Sequence, residues 1–296
     1  MKDFCKINDY ICTDLITVVK IMQKTKNRRI DIMGIVNITD NSYFAQSRCL
    51  GNDGKADIEK TIARISKMLE EGASIIDIGA CSTRPGSDAV GCEEEWRRLE
   101  PVLDAVRTAF PDIRISVDTY WSEIVRRTHR LVGDFTVNDI SAGEDDPDML
   151  GTVGELGLDY IAMHKRGTPK TMQSLCHYND ITSEIKDYFE NFSHKARQAG
   201  IRNWILDPGF GFAKDIEGNY ELMRGLDKIC PPERKILVGV SRKSMIYKLF
   251  NISPEEALAQ TQVLHLAALQ KGADILRVHD VAEAARTVSL YRMLSD

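Results

Sequence analysis

Short runs of hydrophobic residues alternate along the chain with longer segments in which apolar side chains recur every three or four positions. The short runs are rich in Ile, Val and Leu, as is typical of parallel strands that are buried on both faces. They predict strands over Ile30–Asn37, Ile75–Gly79, Ile113–Asp118, Phe135–Asp139, Tyr160–His164, Trp204–Asp207, Ile236–Ser241 and Ile275–His279.

The segments between the runs have helical periodicity. They predict helices over Ile58–Glu71, Glu93–Ala109, Ile181–Ala199 and Pro254–Gln270. Glycines follow three of these patterns, as is usual just after a helix, at Gly72, Gly200 and Gly272. Regular alternation of strands and helices predicts an α/β protein with a (β/α)8 TIM barrel. An open doubly wound sheet is the alternative.

The alternation begins near Arg29, so we predict one barrel domain over 29–296 and an extension over 1–28, with a helix from Leu15 to Lys24. The apolar stretch over 11–22 contains Asp14 and Lys20, which argues against a signal peptide. No apolar run is long enough to span a membrane.

Composition narrows the class of protein. Of the 296 residues, 43% are hydrophobic and 28% are charged, which is typical of a globular protein. The net charge of −5 favours neither nucleic acid nor an anionic membrane as a partner. The seven cysteines are odd in number and form no CxxC pair, so we expect reduced thiols and a cytoplasmic protein.

Polar residues stand at the ends of the predicted strands, and in barrels the active site lies at the carboxyl ends of the strands. Carboxylates, amides and amines at one site suit a flat heterocycle with donors and acceptors on its edge. The candidates for this role are Asp118, Asn138, Asp207 and Lys243. Cationic side chains suit a phosphate or a carboxylate, and the candidates are Arg84, Arg277 and His279.

Each candidate also has a simpler interpretation. Asp118 is in a position to cap the next helix, and Asp207 begins an Asp-Pro-Gly turn. Arg242 and Lys243 have the pattern of a solvated loop pair, and His164 that of a core histidine. The cysteines are predicted to pack. The sequence contains no HExxH, GxGxxG or GxxxxGK[ST] motif, which argues against a zinc site and the commonest nucleotide sites.

Eight motifs, in order, resemble the dihydropteroate synthase family. They are IMGIVNIT (32–39), IIDIGACSTRPGS (75–87), ISVDT (115–119), VNDI (137–140), MHKRGTPKTMQ (163–173), ILDPGFGFAK (205–214), ILVGVSRKS (236–244) and RVHDV (277–281). The resemblance covers residues from about 30 to 281 and implies a barrel enzyme of folate biosynthesis. Such an enzyme joins a dihydropterin pyrophosphate to p-aminobenzoate and releases pyrophosphate.

The resemblance also implies roles for individual residues. The pterin would be held by Asp118, Asn138, Met163, Asp207, Phe212 and Lys243. Pyrophosphate would be bound by Asn37, Arg277 and His279, with Asn37 also binding Mg²⁺. p-Aminobenzoate would contact Thr83, Arg84, Pro85 and Ser244. The residues expected to act in catalysis are Asp118, Lys243, Arg277 and His279.

The implied mechanism is dissociative: pyrophosphate leaves, a cation spreads over the ring, and the amine attacks. Mg²⁺ is the expected cofactor, and small-molecule substrates and a homodimer are the expected partners.

The chain departs from the family in two positions. Ala45 replaces the carboxylate of the first loop, and Cys81 stands where the family usually carries Glu. Two alternatives remain at this stage. One is a methyltetrahydrofolate–corrinoid methyltransferase, which would share the pterin-binding Asp and Asn residues. The other is a pterin-binding protein that has lost catalysis.

Overall fold

The computed structural model describes residues 28–39, 56–81, 90–168, 170–231 and 233–295. The division at residue 28 stays a prediction. Several predictions fall outside the described residues: the helix over 15–24, the loop residue Ala45, and Thr83, Arg84 and Pro85.

Eight parallel strands close into a barrel in which each strand pairs with the next along the chain. The strands are β1 Asp31–Asn37, β2 Ile75–Gly79, β3 Arg114–Asp118, β4 Thr136–Asp139, β5 Asp159–Met163, β6 Trp204–Asp207, β7 Lys235–Val238 and β8 Ile275–Val278. The last strand closes the barrel on the first, with Arg277 opposite Met33. The predicted barrel is therefore confirmed, and the open sheet is wrong.

The α-helices in the described part of the chain are α1 Ile58–Glu70, α2 Cys92–Ala109, α3 Ser122–Val132, α4 Met149–Leu156, α5 Ile181–Gln198, α6 Ile216–Gly225, α7 Ser244–Phe250, α8 Leu258–Gln270 and α9 Val281–Ser295. Gly72, Gly200 and Gly272 have positive φ after their helices, as predicted. The helix predicted from Pro254 begins instead at Leu258, after a 3-10 turn. Among the described helices, none has the length and apolar character needed to cross a membrane.

Side chains that point into the barrel change from apolar to polar along the strands. Near the amino ends, a buried apolar cluster is formed by Met33, Ile75, Ile161, Leu237 and Ile275. Because alternate residues of a strand face the same side, the next inward positions on β2 and β8 are Asp77 and Arg277. The amino half of the interior is thus packed core, and the carboxyl half is polar.

Candidate active site

Arg277 joins two carboxylates in the polar half of the barrel. Its Nε donates to Asp77 Oδ2 at 2.7 Å, and its Nη2 donates to Asp118 Oδ2 at 2.7 Å. Burial alone would lower the pKa of Arg277, but Asp77 and Asp118 raise it above its usual range. Arg277 is therefore a fixed positive charge that connects β8 with β2 and β3.

Asp77 is a site residue that the sequence prediction missed. Its side chain is fully buried, and it accepts from Ser116 Oγ at 2.7 Å. The amide Nδ2 of Asn138 lies 3.3 Å from each oxygen of Asp77. The one signal in the sequence is a carboxylate inside an apolar strand, where a charge without a partner would be costly.

Asp118 ends β3 and contacts the same Arg277 guanidinium group. Burial raises the pKa of Asp118 to about 7, while Arg277 acts in the opposite direction. A Cβ added at Gly79 would lie 3.1 Å from Asp118 Cβ, so glycine at the end of β2 leaves room for this side chain. Helix α3 begins at Ser122 with Trp121 at its N-cap, so Asp118 does not cap it.

Asp207 ends β6 at the same end of the barrel. Its Oδ1 accepts from Gly209 N at 2.8 Å, so the turn predicted after β6 is present. Burial raises the pKa of Asp207, and Lys243 lowers it. The turn occupies one carboxylate oxygen and is compatible with a second role for this residue.

Lys243 and Phe212 form one wall of the same site. Lys243 Nζ donates to the carbonyl of Phe210 at 2.6 Å and lies 5.2 Å from the centroid of the Phe212 ring. Burial lowers the pKa of Lys243 to about 8, against the attraction of Asp207. Met163, at the end of β5, is also buried. The structure thus provides an apolar ring, an ammonium group and carboxylates around one space.

Arg242 has a structural role that the sequence did not reveal. Its side chain is only 5% exposed and donates to Asp280 Oδ2 at 2.8 Å and to the carbonyl of Pro254 at 2.8 Å. The solvated-pair interpretation of Arg242 and Lys243 is therefore wrong. Helix α7 begins immediately after this pair, at Ser244.

His279 follows β8, and its backbone N–H donates to Ser241 Oγ at 3.3 Å. Burial lowers the pKa of His279 to about 3, and nearby cations lower it further: Arg277, Arg64, Arg242 and Lys243. His279 is therefore a neutral imidazole near pH 7 in a positive environment, which attracts an anion. Arg64 lies on α1 and was not predicted as a site residue, because candidates were sought at the ends of the predicted strands.

His164 and Cys81 have the simpler roles that were predicted for them, as a core histidine and a packed cysteine. His164 is buried, and its ring makes an edge contact with Tyr188 at a centroid distance of 4.8 Å. Cys81 Sγ lies 3.9 Å from Tyr120 Oη, and burial raises the pKa of this thiol. A thiol with a raised pKa is a poor nucleophile, which supports packing rather than catalysis.

The sequence and the barrel match one family of known proteins. The family model described as "Pterin binding enzyme" matches residues 33–279. The chain belongs to the pterin-binding enzyme family.

Relatives in this family align over nearly the whole chain. Dihydropteroate synthase of Haemophilus influenzae is 38% identical over 263 residues, which are 88% of this chain and 92% of the relative. The structure of the Yersinia pestis dihydropteroate synthase with a sulfonamide drug is 33% identical, with a TM-score of 0.84, and covers 91% of this chain and 95% of that one. The Xanthomonas albilineans enzyme with 4-aminobenzoic acid is 33% identical, with a TM-score of 0.80, and covers 91% and 94%.

We expect Asp207→Asn and Asp118→Asn each to weaken pterin binding by about 10–150-fold, the equivalent of one charged hydrogen bond of about 1.5–3 kcal/mol. The amide offers one acceptor where the carboxylate offers two. Calorimetry with a pterin ligand measures the effect, and unchanged affinity in both variants would remove these residues from the site.

Because the pKa of Asp118 is raised to about 7, the affinity of the unmodified protein for the pterin should increase as the pH rises through about 7 and the carboxyl ionises. This dependence should be weaker in Asp118→Asn.

Proposed function

We propose that the chain is a dihydropteroate synthase, which joins 6-hydroxymethyl-7,8-dihydropterin pyrophosphate to p-aminobenzoate and forms 7,8-dihydropteroate and pyrophosphate in folate biosynthesis. The observation that carries the proposal is the cluster of Asp77, Asp118 and Arg277 with Asn138 at the carboxyl end of the barrel. The relatives with the same fold over most of the chain carry this enzyme name.

The pterin is recognised by acceptors and donors fixed around its edge. Because Asn138 Nδ2 faces the oxygens of Asp77, its carbonyl oxygen is the atom directed to a ligand donor. Asp118 and Asp207 accept from the N–H and NH₂ groups of the ring, and Lys243 donates to its carbonyl. Phe212 and Met163 cover the ring faces.

The leaving pyrophosphate is bound by the cations beside β8. Arg277 carries a fixed charge, and neutral His279 donates a hydrogen bond. Charge that develops on the leaving oxygen is stabilised by such preorganised groups. As the pyrophosphate departs, the positive charge on the ring faces the carboxylates of Asp118 and Asp207. The p-aminobenzoate amine then attacks the exocyclic carbon and loses a proton.

Mg²⁺ fits this site as an ion shared with the substrate. In the described residues no group of three or more His, Cys, Asp and Glu side chains could hold a metal. Asn37, half-buried at the end of β1 beside Gly79, offers an amide oxygen, a ligand type that Mg²⁺ accepts together with substrate phosphates. When bound, the ion would neutralise charge on the pyrophosphate.

We expect Mg²⁺ to bind weakly to the protein alone and more tightly in the presence of the pterin pyrophosphate. Calorimetric titration of Mg²⁺ with and without that substrate tests this. Asn37→Ala should weaken the substrate-dependent affinity and leave the weak binding to the protein alone nearly unchanged. Equal Mg²⁺ affinity with and without the substrate would contradict the shared site.

The p-aminobenzoate site is the part of the proposal that rests on sequence. Thr83, Arg84 and Pro85 lie outside the described residues, and their role follows the family motif. Ser244 begins α7 directly after Lys243, so it lies next to the proposed pterin site, as a residue that contacts the second substrate should.

We expect the purified protein to form dihydropteroate from both substrates, with a sulfonamide competing against p-aminobenzoate. Ala45→Asp should change the rate modestly and not create activity from none, because the charged groups of the barrel remain in place. The measurement is incorporation of labelled p-aminobenzoate. A protein that binds the pterin pyrophosphate with Mg²⁺ and forms no product would favour the binding-protein alternative.

The methyltransferase alternative has less support. The chain carries the STRPG segment, the SRKS segment and Arg277 with His279, and a methyl transfer from a folate needs no pyrophosphate site. Methyl transfer from methyltetrahydrofolate to a corrinoid, without dihydropteroate synthesis, would reverse this choice.

The proposal includes a cytoplasmic homodimer. In the described residues, Cys81, Cys92, Cys176 and Cys230 form no disulfide, which suits a reducing compartment. Four apolar side chains of α8 and α9 are at least 60% exposed, a pattern typical of an interface: Val263 66%, Leu290 63%, Met293 77% and Leu294 72%. Sedimentation of the unmodified protein and of Leu290→Glu would test it.

A further inference from the structure

The loop after β6 carries two parts of the proposed pterin pocket. The carbonyl of Phe210 accepts from Lys243 Nζ, and the Phe212 ring lies beside that ammonium group. The backbone of this loop is unusual, since Gly209, Gly211 and Ala213 have φ values of 70°, 83° and 48°. The two glycines are conformationally permissive, and Ala213 is a non-glycine residue in the left-handed region, so contacts from outside the loop are needed to keep one conformation.

Lys214 provides these contacts. Its side chain is 3% exposed, and Nζ lies 3.0 Å from each of three acceptors. They are the carbonyl of Gly209, the carbonyl of Phe212 and Nδ1 of His164. An ammonium group has three N–H donors, so all three are used. The main chain at Lys214 is held as well, because its carbonyl accepts from Asn219 Nδ2 at 3.0 Å.

His164 is the fixed end of this arrangement. Its backbone N–H donates to the carbonyl of Asp207 at 2.9 Å, which continues the pairing of β5 with β6. A Cβ added at Gly209 would lie 2.0 Å from the carbonyl oxygen of His164, so the loop passes against this residue with no space between them. The Lys214 contact therefore ties the loop to the barrel wall.

We propose that Lys214 is a positioning residue of the pterin site: its ammonium group fixes the loop over 209–212 and thereby sets the Phe212 ring and the Phe210 carbonyl that holds Lys243. The inference rests on the proposed function and deepens it. Lys214 itself touches neither the substrate nor the reacting atoms in this scheme.

The charges around Lys214 decide its protonation. Burial lowers the pKa of Lys214 to about 7; Asp207 and Cys176 oppose this, while Lys243 and Arg166 add to it. Burial also lowers the pKa of His164, with Lys214 and Arg166 acting in the same direction, so the ring is neutral. When Lys214 loses its proton, the amine can still donate to both carbonyls and accept from a His164 ring with its proton on Nδ1. The loop contacts are therefore retained in both states.

The test compares two ligands on the full chain. Lys214→Met removes the donors and keeps a flexible apolar stem of similar length. We expect its affinity for the dihydropterin pyrophosphate to fall by at least about tenfold, because the Phe212 ring and the carbonyl that holds Lys243 lose their fixed positions. Its affinity for inorganic pyrophosphate with Mg²⁺, which depends on Arg277 and His279, should stay unchanged. Lys165→Met is the control, because Lys165 is also largely buried, at 8% exposure, and pairs with Asp145.

Equal loss for both ligands, unchanged affinity for both, or the same ligand pattern in Lys165→Met would overturn the inference. Failure of the unmodified protein to bind the pterin pyrophosphate would instead refute the proposed function.

If Lys214→Met does not fold, ¹⁵N NMR of the histidine rings in the unmodified protein tests the contact between Lys214 and His164. At pH 6 we expect neutral His164 with its proton on Nε2, moving to Nδ1 as the pH rises above about 7. A proton on Nδ1 at pH 6 would contradict the Lys214 contact.

Discussion

Arg277→Met should lower kcat/KM by about 10²–10³-fold, the loss typical of removing one preorganised donor to a developing oxyanion. Two effects combine in this variant. The leaving pyrophosphate loses a fixed positive charge, and the carboxylates of Asp77 and Asp118 lose the cation between them. Without that cation the pKa of Asp118 should rise further, so the remaining activity should shift to higher pH. Steady-state kinetics across a pH range measures both changes.

Arg114→Met is the matched control for this experiment. Arg114 also pairs with a buried carboxylate, with its Nη2 2.5 Å from Asp31 Oδ1. These residues begin β3 and β1, so the pair lies at the amino end of the barrel, opposite the proposed site. We expect nearly normal kinetics from folded Arg114→Met. A loss of rate as large as that of Arg277→Met would show that any broken ion pair harms the enzyme.

Asp77→Ala should reduce the free energy of unfolding by about 3–5 kcal/mol, as expected when one partner of a buried ion pair is removed. The change leaves Ser116 Oγ and Asn138 Nδ2 without their acceptor and Arg277 with only one carboxylate. We expect the melting temperature to fall by on the order of 10 °C. Pterin binding should weaken too, because Asn138 would be free to rotate. Thermal unfolding and calorimetry measure the two effects.

Asp31→Ala distinguishes the buried cluster from an ordinary ion pair. Asp31 is 2% exposed, but its partners Arg114 and Arg29 are 43% and 70% exposed and remain hydrated when it is removed. Its removal should cost less stability than Asp77→Ala and leave pterin affinity intact. Equal destabilisation by the two substitutions would mean that the cluster around Arg277 contributes no more than the exposed pair.

The strands were predictable because each is buried on both faces and therefore apolar throughout. The C-terminal positions of Asp118, Asn138 and Asp207 followed from the ends of those runs, and the barrel brings them together. Asp77 was missed because it lies in the middle of a predicted strand, whereas candidate site residues were sought at the strand ends. Its partners come from three other strands, because Ser116 lies on β3, Asn138 on β4 and Arg277 on β8, and only the closed barrel brings these residues together.

Other features depended on contacts between distant segments. Arg242 and Lys243 are adjacent in the sequence, yet one binds Asp280 and the other the carbonyl of Phe210. The neutral state of His279 depends on cations from several elements, including Arg64 of α1. No local sequence pattern predicts such an environment, because the burial that lowers the pKa of His279 arises only when the barrel closes.

The Arg277 contacts also have a consequence for the order in which the chain folds. They join residues 200 and 159 positions apart, because β8 supplies the cation for carboxylates of β2 and β3. During synthesis, the early strands are made long before Arg277, so Asp77 lacks its cationic partner until β8 has been made. Contacts of such long range form slowly and late. The charge balance of the proposed site is therefore completed only when the last strand docks, and a chain truncated before β8 would carry two interior carboxylates without their cation.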